Sequence, residues 1–211
     1  MIGKIYDWLD HRTGIKKLLT DKLEYPIPDH VNIFYCFGGL SFFIILLQLV
    51  SGFVMLFYYT PTPEKALDSV NYLSTEVPYG WLIRNMHRWA ATLLVAMVFF
   101  HITSVFLHRA FRNPRELNWL SGLLMGLVVI LFSVTGVILP WDWRSYWDLT
   151  IWADYIATWP FFGHAFRDFL LINFAVGRSF VIHVWLLPLV TIILLWVHFK
   201  MVKKHGISGP L

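Results

Sequence analysis

The sequence predicts an all-α integral membrane protein: a four-helix bundle with an interfacial helix before it and short surface helices between its third and fourth spans. Of the 211 residues, 57% are hydrophobic and 14% are charged, and the mean hydropathy is +0.60, whereas soluble domains carry about a quarter charged residues. Four stretches of at least 20 residues contain no Asp, Glu, Lys or Arg: 30–63, 89–108, 117–141 and 179–199. These features exclude most soluble enzymes and nucleic-acid-binding modules.

Each charge-free stretch is long enough to cross a bilayer, since about 20 residues at 1.5 Å rise cover a hydrocarbon core of roughly 30 Å. None shows the alternating pattern of barrel strands, so the spans are predicted as helices. The whole chain, 1–211, is then one membrane domain, with an interfacial segment over 1–29 and the bundle over 30–211. Residues 1–19 mix apolar and charged side chains as an amphipathic helix does, without the uninterrupted apolar run of a signal peptide.

Proline residues mark the ends of the predicted spans. Pro61 and Pro63 follow the first span, Pro114 lies in the link before the third, and Pro140 closes the third. The link 142–178 is long for a loop without structure, and its apolar groups predict short helices at the membrane surface. Pro188, inside the fourth span, predicts a kink.

The positions of the basic residues predict the orientation. Eleven of the 17 Lys and Arg lie in the N-terminal segment, the link between spans two and three, and the C-terminal tail. By the positive-inside rule both termini face the cytoplasm or its organellar equivalent, the n side, and the 142–178 link faces the opposite p side. The net charge of +4 then reports topology and requires no nucleic-acid partner.

Two spans carry histidines at regular spacing. His87 and His101 are 14 residues apart in the second span, and His183 and His198 are 15 apart in the fourth. Steps of 14 and 15 residues return to within about 40° and 60° of the same helix face. With the two spans taken as antiparallel neighbours, we expect His87 to pair with His183 near the p side and His101 with His198 near the n side. Two such pairs would hold two stacked hemes, each iron between two imidazoles.

Other interpretations of these histidines remain open from spacing alone. The imidazoles could be hydrogen-bonded across helices, although an ionisable group in a span is a functional candidate by default. Zinc fits less well, because each layer would supply two histidines without an evident carboxylate or thiolate. The histidines at span ends and in links, such as His11, His108 and His164, have no predicted ligand role.

Glycines repeat the same spacing on the other two spans. Gly38 and Gly52 in the first span are 14 residues apart, as are Gly122 and Gly136 in the third. A flat macrocycle needs close backbone approach, which glycine permits, although small residues also serve helix packing in membranes.

Three arginines lie near the p-side histidines. Arg84 and Arg88 flank His87, and Arg178 precedes His183 by five residues. They are candidates to bind heme propionates, with interfacial anchoring as the alternative.

Several motifs spread over nearly the whole chain resemble the cytochrome b6 family, the four-helix heme subunits of cytochrome b6f and of bacterial menaquinol:cytochrome c reductases. The matching motifs are Lys4-Ile5-Tyr6-Asp7-Trp8, His30-Val31-Asn32-Ile33-Phe34-Tyr35-Cys36, Gly80-Trp81-Leu82-Ile83-Arg84, His87-Arg88-Trp89, Asn113-Pro114-Arg115-Glu116-Leu117, Thr135-Gly136, Leu139-Pro140-Trp141-Asp142 and Gly206-Ile207-Ser208-Gly209-Pro210-Leu211. The 15-residue step between His183 and His198 also matches this branch.

The resemblance implies a role for the single cysteine, which by itself only excludes an intrachain disulfide. In the family the cysteine matching Cys36 holds a third heme, a heme c, through one thioether beside the n-side b heme. Lys203 stands where the family commonly has Arg near that heme, and His205 replaces a usual Gln.

The resemblance also implies electron transfer between quinones and further subunits. The expected function is that of a quinol:cytochrome c (or plastocyanin) oxidoreductase subunit, inactive alone, which passes electrons from quinol at the p side through two b hemes to quinone at the n side. Part of the quinol-oxidation pocket is matched at the end of the third span by Thr135, Gly136, Leu139, Pro140 and Trp141. The implied partners are a subunit IV-like protein, a Rieske iron-sulfur protein and a cytochrome c or f, in a dimeric complex of a bacterial or thylakoid membrane.

Two other functions fit part of the pattern. A diheme membrane anchor of a formate dehydrogenase or nitrate reductase would also hold two b hemes, but with no covalent heme and no Rieske partner. A transporter or scaffold would use the histidines for protons or interhelical hydrogen bonds and would be colourless.

Overall fold

The computed structural model describes residues 2–24, 29, 31–173 and 175–206, and every regular element within them is helical. The elements are α1 Ile2–Thr13, α2 Ile15–Leu23, α3 Ile33–Leu56, α4 Ala66–Thr75, α5 Gly80–Leu107, α6 Glu116–Ile138, α7 Trp143–Ala157, α8 Gly163–Asn173, α9 Val176–Val181, a π-helical turn Ile182–Leu186 and α10 Leu187–His205. The chain divides into two compact units, 1–32 and 33–211. The predicted all-α class is confirmed.

The first unit contains two short helices where the sequence predicts one. The backbone at Gly14 is left-handed, with φ of +62°, and this ends α1 before α2 begins. Asp10 joins the two helices: its carbonyl accepts from the Gly14 N–H at 2.8 Å and its carboxylate from the Lys16 N–H at 2.7 Å. Glycine adopts this conformation without steric cost, so the break follows from residue 14.

The second unit contains four helices long and apolar enough to cross a membrane: Ile33–Leu56, Gly80–Leu107, Glu116–Ile138 and Val176–His205. The predicted four spans are therefore confirmed, with different ends. The second span begins at Gly80, nine residues before the charge-free stretch, so Arg84 and Arg88 lie inside the helix. Lack of charge identifies the most apolar part of a helix and not its whole length.

The fourth span is not a uniform α-helix. Its α9 and α10 parts are separated by the π-helical turn Ile182–Leu186, and Pro188 is the second residue of α10. Proline has no N–H for the carbonyl four residues earlier, and its ring crowds that carbonyl. The widened turn immediately before it relieves this conflict, so the irregularity predicted at Pro188 takes the form of a π turn.

The helices pack as two close pairs, α3 with α5 and α6 with α10, and α5 also contacts α6. The first and fourth spans also meet: the rings of Phe42 in α3 and Phe199 in α10 have centroids 5.0 Å apart. The buried residues of the bundle are mostly small or polar, among them Ser51, Ser121 and Thr135, whereas large apolar side chains cover the outside. This distribution is that of a bundle surrounded by lipid.

The link after the third span contains the predicted short helices, α7 and α8, and these two pack against each other as a hairpin. Asp142 caps the start of α7 by accepting from the Ser145 N–H at 2.8 Å. Arg167 of α8 reaches back to Asp154 of α7 with an N–O distance of 2.7 Å. One more helix, α4, packs on α5 and lies in the first interspan link, where the sequence analysis predicts none.

Candidate functional site: two layers of paired histidines

Four imidazoles face the interior of the bundle in two layers. The rings of His87 and His183 have centroids 6.4 Å apart and form the 87/183 layer. His101 and His198 interact electrostatically and form the 101/198 layer. The expected pairs are therefore found together. The antiparallel arrangement expected for the two spans is wrong, because these pairs require α5 and α10 to run in the same direction, as alternate helices of an up-and-down bundle do.

The π turn accounts for the unequal spacing of the histidines. In a regular α-helix a 15-residue step would rotate His198 about 60° from His183, whereas the 14-residue step of α5 gives about 40° in the opposite sense. His183 lies in the π turn, which holds about one residue more than an α-helical turn. The extra residue is absorbed there, and α10 presents its two imidazoles in the same register as α5.

Each imidazole lies against one of the four predicted glycines. A Cβ built on the glycine would be closest to the ring atom Cε1 in all four cases. The distances are 2.9 Å for Gly38 to His101, 2.9 Å for Gly136 to His183, 3.3 Å for Gly52 to His87 and 3.4 Å for Gly122 to His198. Real Cβ atoms essentially never come within 3.0 Å of another side chain. The glycines therefore make room for the imidazoles. The 14-residue spacing of the glycines suggests that they also leave room for a macrocycle.

Hydroxyl groups hold three of the four rings, a feature the sequence analysis does not identify. The residue immediately before the glycine is a serine or threonine in each of these three cases. The hydroxyl oxygen to Nδ1 distances are 2.9 Å for Ser51 and His87, 2.9 Å for Thr135 and His183, and 3.0 Å for Ser121 and His198. The dipeptides Ser51-Gly52, Ser121-Gly122 and Thr135-Gly136 are the signal in the sequence that could have revealed them.

The direction of these hydrogen bonds follows from a second contact. Each hydroxyl lies 2.7 to 2.8 Å from a carbonyl oxygen of the preceding turn, that of Leu47, Leu131 or Asn118. A carbonyl only accepts, so it takes the hydroxyl hydrogen, and the hydroxyl oxygen accepts from the imidazole. The proton therefore sits on Nδ1, and Nε2 keeps the lone pair that can bind a metal.

Two buried amide oxygens point to further polar neighbours in the interior. Gln48 Oε1 and Asn118 Oδ1 have no hydrogen-bond partner among the described residues. Gln48 lies four residues before Gly52, and Asn118 lies four before Gly122, so each shares a helix face with a glycine of one layer. Buried polar atoms are rarely left unsatisfied in proteins. These oxygens fit an interior that holds a bound group or water beside the imidazoles.

The 87/183 layer fits a bis-histidine heme. Metal–imidazole bonds are about 2 Å long, and a ring centre lies about 1 Å behind its bonding nitrogen, so rings on opposite sides of one ion have centres about 6 Å apart. The observed 6.4 Å agrees with this value. Imidazoles with the proton on Nδ1 and glycines against the rings together suit a flat iron cofactor.

The basic candidates have different surroundings. Arg84 is half-buried with Nη1 3.4 Å from the Ser74 hydroxyl, and Arg178 donates to the Ile172 carbonyl at 2.8 Å. Arg88 and Lys203 are exposed.

The single cysteine lies near one of the glycines. Cys36 is exposed on α3, two residues before Gly38.

The segment after the third span is fixed by two polar contacts. The Tyr59 hydroxyl donates to the Leu139 carbonyl at 2.6 Å, and burial raises the pKa of this phenol. Partial burial alone would raise the pKa of Asp142, but the Ser145 N–H and hydroxyl and the charges of Arg84 and Arg144 outweigh it and hold the pKa below its usual value. The carboxylate cap of α7 is thus stabilised in its charged form.

Comparisons with known proteins agree with this site. The family model described as Cytochrome b/b6/petB matches residues 22–206. The chain is 44% identical to cytochrome b6 of Auxenochlorella protothecoides and 42% identical to cytochrome b6 of Tupiella akineta, with all of both chains covered in each case. It also matches a chain of a hyperthermophilic respiratory Complex III with a TM-score of 0.84 and 31% identity, over 97% of this chain and 56% of that one. The chain therefore belongs to the cytochrome b/b6 family and is a transmembrane, heme-binding subunit of an electron-transport bc complex.

Proposed function

We propose that the chain moves electrons across the membrane as the cytochrome subunit of a quinol:cytochrome c (or plastocyanin) oxidoreductase, between quinol oxidised at the p side and quinone reduced at the n side. The observation that carries the proposal is the presence of two imidazole layers in one bundle, with the His87 and His183 rings 6.4 Å apart. Two electron carriers, one in each layer, would divide the passage of an electron across the low-dielectric membrane interior into two shorter transfers.

In this proposal the histidines hold two b hemes. His87 and His183 bind the p-side iron, and His101 and His198 bind the n-side iron. When bound, each heme supplies one-electron redox chemistry. The hydroxyls of Ser51, Thr135 and Ser121 fix the protonated Nδ1 of their imidazoles, so Nε2 is already oriented for the metal before it binds.

The basic residues are proposed to bind the acidic edges of the cofactors. Arg84, half-buried in the first turns of α5, precedes His87 by about one turn, and Arg88 follows it directly. Arg178 lies in α9, ahead of His183. Guanidinium groups form strong, often bidentate hydrogen bonds with carboxylates, which suits them to p-side heme propionates. Lys203, in the last turn of α10, is assigned to the surroundings of the n-side cofactors.

Cys36 is proposed to carry a third, covalently bound heme c through a single thioether. Its thiol is exposed on α3 and lies two residues from Gly38, the glycine of the n-side layer. An exposed thiol at this level is accessible to a group that lies against the outside of the n-side layer. This attachment distinguishes the proposal from a diheme anchor.

The remaining parts of the proposal concern the assembly. We expect a subunit IV-like protein, a Rieske iron-sulfur protein and a cytochrome c or f as partners in a dimeric complex, with both termini of this chain on the n side of a bacterial cell membrane or thylakoid. The chain alone is expected not to turn over. The interfacial segment 1–29 would lie on the n-side membrane surface.

Heme staining after denaturing electrophoresis, combined with a reduced-minus-oxidised spectrum of the purified complex, tests the proposal. We expect b-type absorbance together with one heme that survives on the 24.8 kDa band. The Cys36→Ser variant should lose the stained band and keep the b-type absorbance. A colourless wild-type protein would overturn the proposal, and b-type absorbance without a stained band would favour the diheme anchor.

A further inference from the structure

The second span ends in a Schellman motif that has an arginine at its left-handed position. The Ala110 N–H donates to the Val105 carbonyl and the Arg109 N–H to the Phe106 carbonyl, each at 3.0 Å. The backbone at Arg109 is left-handed, with φ of +51°. Glycine usually occupies this position after a helix end, because any other side chain is strained there. A strained arginine at an exposed position indicates that its side chain has a use.

A second arginine lies in the same turn. The Arg112 N–H donates to the Arg109 carbonyl at 3.2 Å, so the two residues are the first and last of one four-residue turn, whose outer Cα atoms generally lie within about 7 Å of each other. Both side chains are exposed. Within the described part of the chain, neither guanidinium has a hydrogen-bond or ion-pair partner.

The exposed arginine at the start of α7 has different surroundings. Arg144 Nε lies 3.5 Å from a carboxylate oxygen of Asp148, one turn further along the same helix. The sequence from 77 to 115, which includes the turn between α5 and α6, contains no Asp or Glu. The two guanidiniums of this turn are therefore available to an anion from outside the chain.

Three aromatic rings lie beside the two arginines. Phe106 of α5 stacks on Phe111 of the link, with ring centroids 5.6 Å apart, and both rings contact Trp119 of α6, at 6.5 and 5.8 Å. Phe106 is 57% exposed. Since α5 ends at Leu107 and α6 begins at Glu116, the rings surround the ends of two spans and the arginines lie in the link between them. In a bilayer these positions correspond to the boundary of the acyl chains and to the headgroups.

We propose that Arg109 and Arg112 bind the phosphate of one anionic phospholipid, whose acyl chains lie against the exposed face of Phe106. Arginine suits this ligand because its planar guanidinium binds phosphate through paired hydrogen bonds, and basic surfaces between membrane helices bind anionic headgroups. A phospholipid supplies both an anion for the turn and an apolar contact for the ring, whereas a free phosphate ion supplies only the anion. The site does not depend on electron transfer and so goes beyond the proposed function.

Titration of the purified, delipidated complex with phospholipid, followed by native mass spectrometry, tests the proposal. The probes are phosphatidylglycerol, which is anionic, and phosphatidylcholine, which is zwitterionic. We expect the wild type to bind phosphatidylglycerol more tightly, and Arg109→Gln and Arg112→Gln each to weaken this binding about fivefold, the contribution of one cation near an anionic membrane surface. Arg144→Gln is the matched control, because this exposed arginine is paired with Asp148, and its binding should equal that of the wild type.

Two further replacements separate a specific site from general effects. Arg109→Lys keeps the charge without the planar guanidinium, so binding should weaken; unchanged binding would show attraction by surface charge alone and would overturn the proposal. Arg109→Gly removes the guanidinium and relieves the left-handed backbone. We expect weaker binding of phosphatidylglycerol together with a higher thermal midpoint of the lipid-free complex. A midpoint that does not rise would overturn the proposal, because Arg109 would then serve the end of α5 itself.

Three more outcomes decide the question. Equal affinity of the wild type for the two lipids, or unchanged affinity for phosphatidylglycerol in both glutamine variants, would overturn the proposal. Displacement of bound phosphatidylglycerol by inorganic phosphate would also overturn it, since the site would then recognise the ion alone. The b-type absorbance of each sample reports assembly, and if a glutamine variant loses it, Arg109→Lys decides. Absence of this absorbance from the wild type would overturn the proposed function and leave the lipid measurement valid.

Discussion

His183 lies in the π-helical turn Ile182–Leu186, and Pro188 follows this histidine by five residues. Without that turn, the 15-residue step to His198 would leave the two imidazoles of the fourth span about 100° out of register with those of α5, which are 14 residues apart. The proline thus does more than bend the helix. It localises an extra residue next to His183 and so aligns His198, which lies 10 residues beyond Pro188, with His101.

Deletions in the fourth span test this register. Removing Trp185, an exposed residue of the π turn, should convert the turn to α-helix and keep both imidazole pairs, and therefore both b-type components of the spectrum. Removing Ile192, an exposed residue of regular α10, should rotate His198 by about 100° and abolish the 101/198 heme. Equal loss in the two deletions would show that the π turn does not absorb the extra residue.

Replacement of a single histidine tests the pairing itself. His183→Ala should remove the 87/183 heme and halve the b-type absorbance, because an iron held by one remaining imidazole loses half of its protein ligands. His164→Ala is the matched control, since His164 is exposed in α8 and touches neither layer. Heme extracted and quantified per complex gives the measurement. A His183→Ala complex that retains both b hemes would refute the pairing.

The glycines provide a graded test of packing around the imidazoles. In Gly136→Ala the new methyl group would lie 2.9 Å from His183 Cε1, whereas in Gly52→Ala it would lie 3.3 Å from His87 Cε1. Overpacking of this kind typically costs about 1–3 kcal/mol. We expect a lower thermal midpoint for heme release in Gly136→Ala than in Gly52→Ala, and no decrease in Gly39→Ala, whose Cβ would have nothing within 4 Å.

The sequence predicts the spans and the histidine layers because both depend on local regularities. The length of each charge-free stretch reflects the thickness of the hydrocarbon core of the bilayer, and the steps of 14 and 15 residues between histidines reflect the number of residues per helical turn. The same reasoning gives the wrong relative direction for α5 and α10, because that direction follows from the number of membrane crossings between them and not from a local pattern. It also misses the break at Gly14, since glycine is compatible with both a continuous helix and a turn. It also misses the hydroxyls of Ser51, Ser121 and Thr135. A serine next to a glycine is common in packed membrane helices, and only the fold shows that these three reach across to an imidazole.

The cap of α7 gives a prediction with a defined pH dependence. Because the folded-state pKa of Asp142 lies below its usual value, the charged cap contributes stability above the unfolded-state pKa of about 3.9, and this contribution is lost as the pH falls through the lowered folded-state pKa. Hydrogen exchange of the α7 amides, compared between the wild type and Asp142→Asn, should therefore show extra protection in the wild type at neutral pH that disappears under acid.

Asp142→Ala removes the acceptor for the Ser145 N–H and should lower the free energy of unfolding by about 0.5–2 kcal/mol at neutral pH. Asp148→Asn, which changes an exposed carboxylate of the same helix, is the control for charge alone. Wild-type protection equal to that of Asp142→Asn at neutral pH would mean that the carboxylate charge does not stabilise the start of α7.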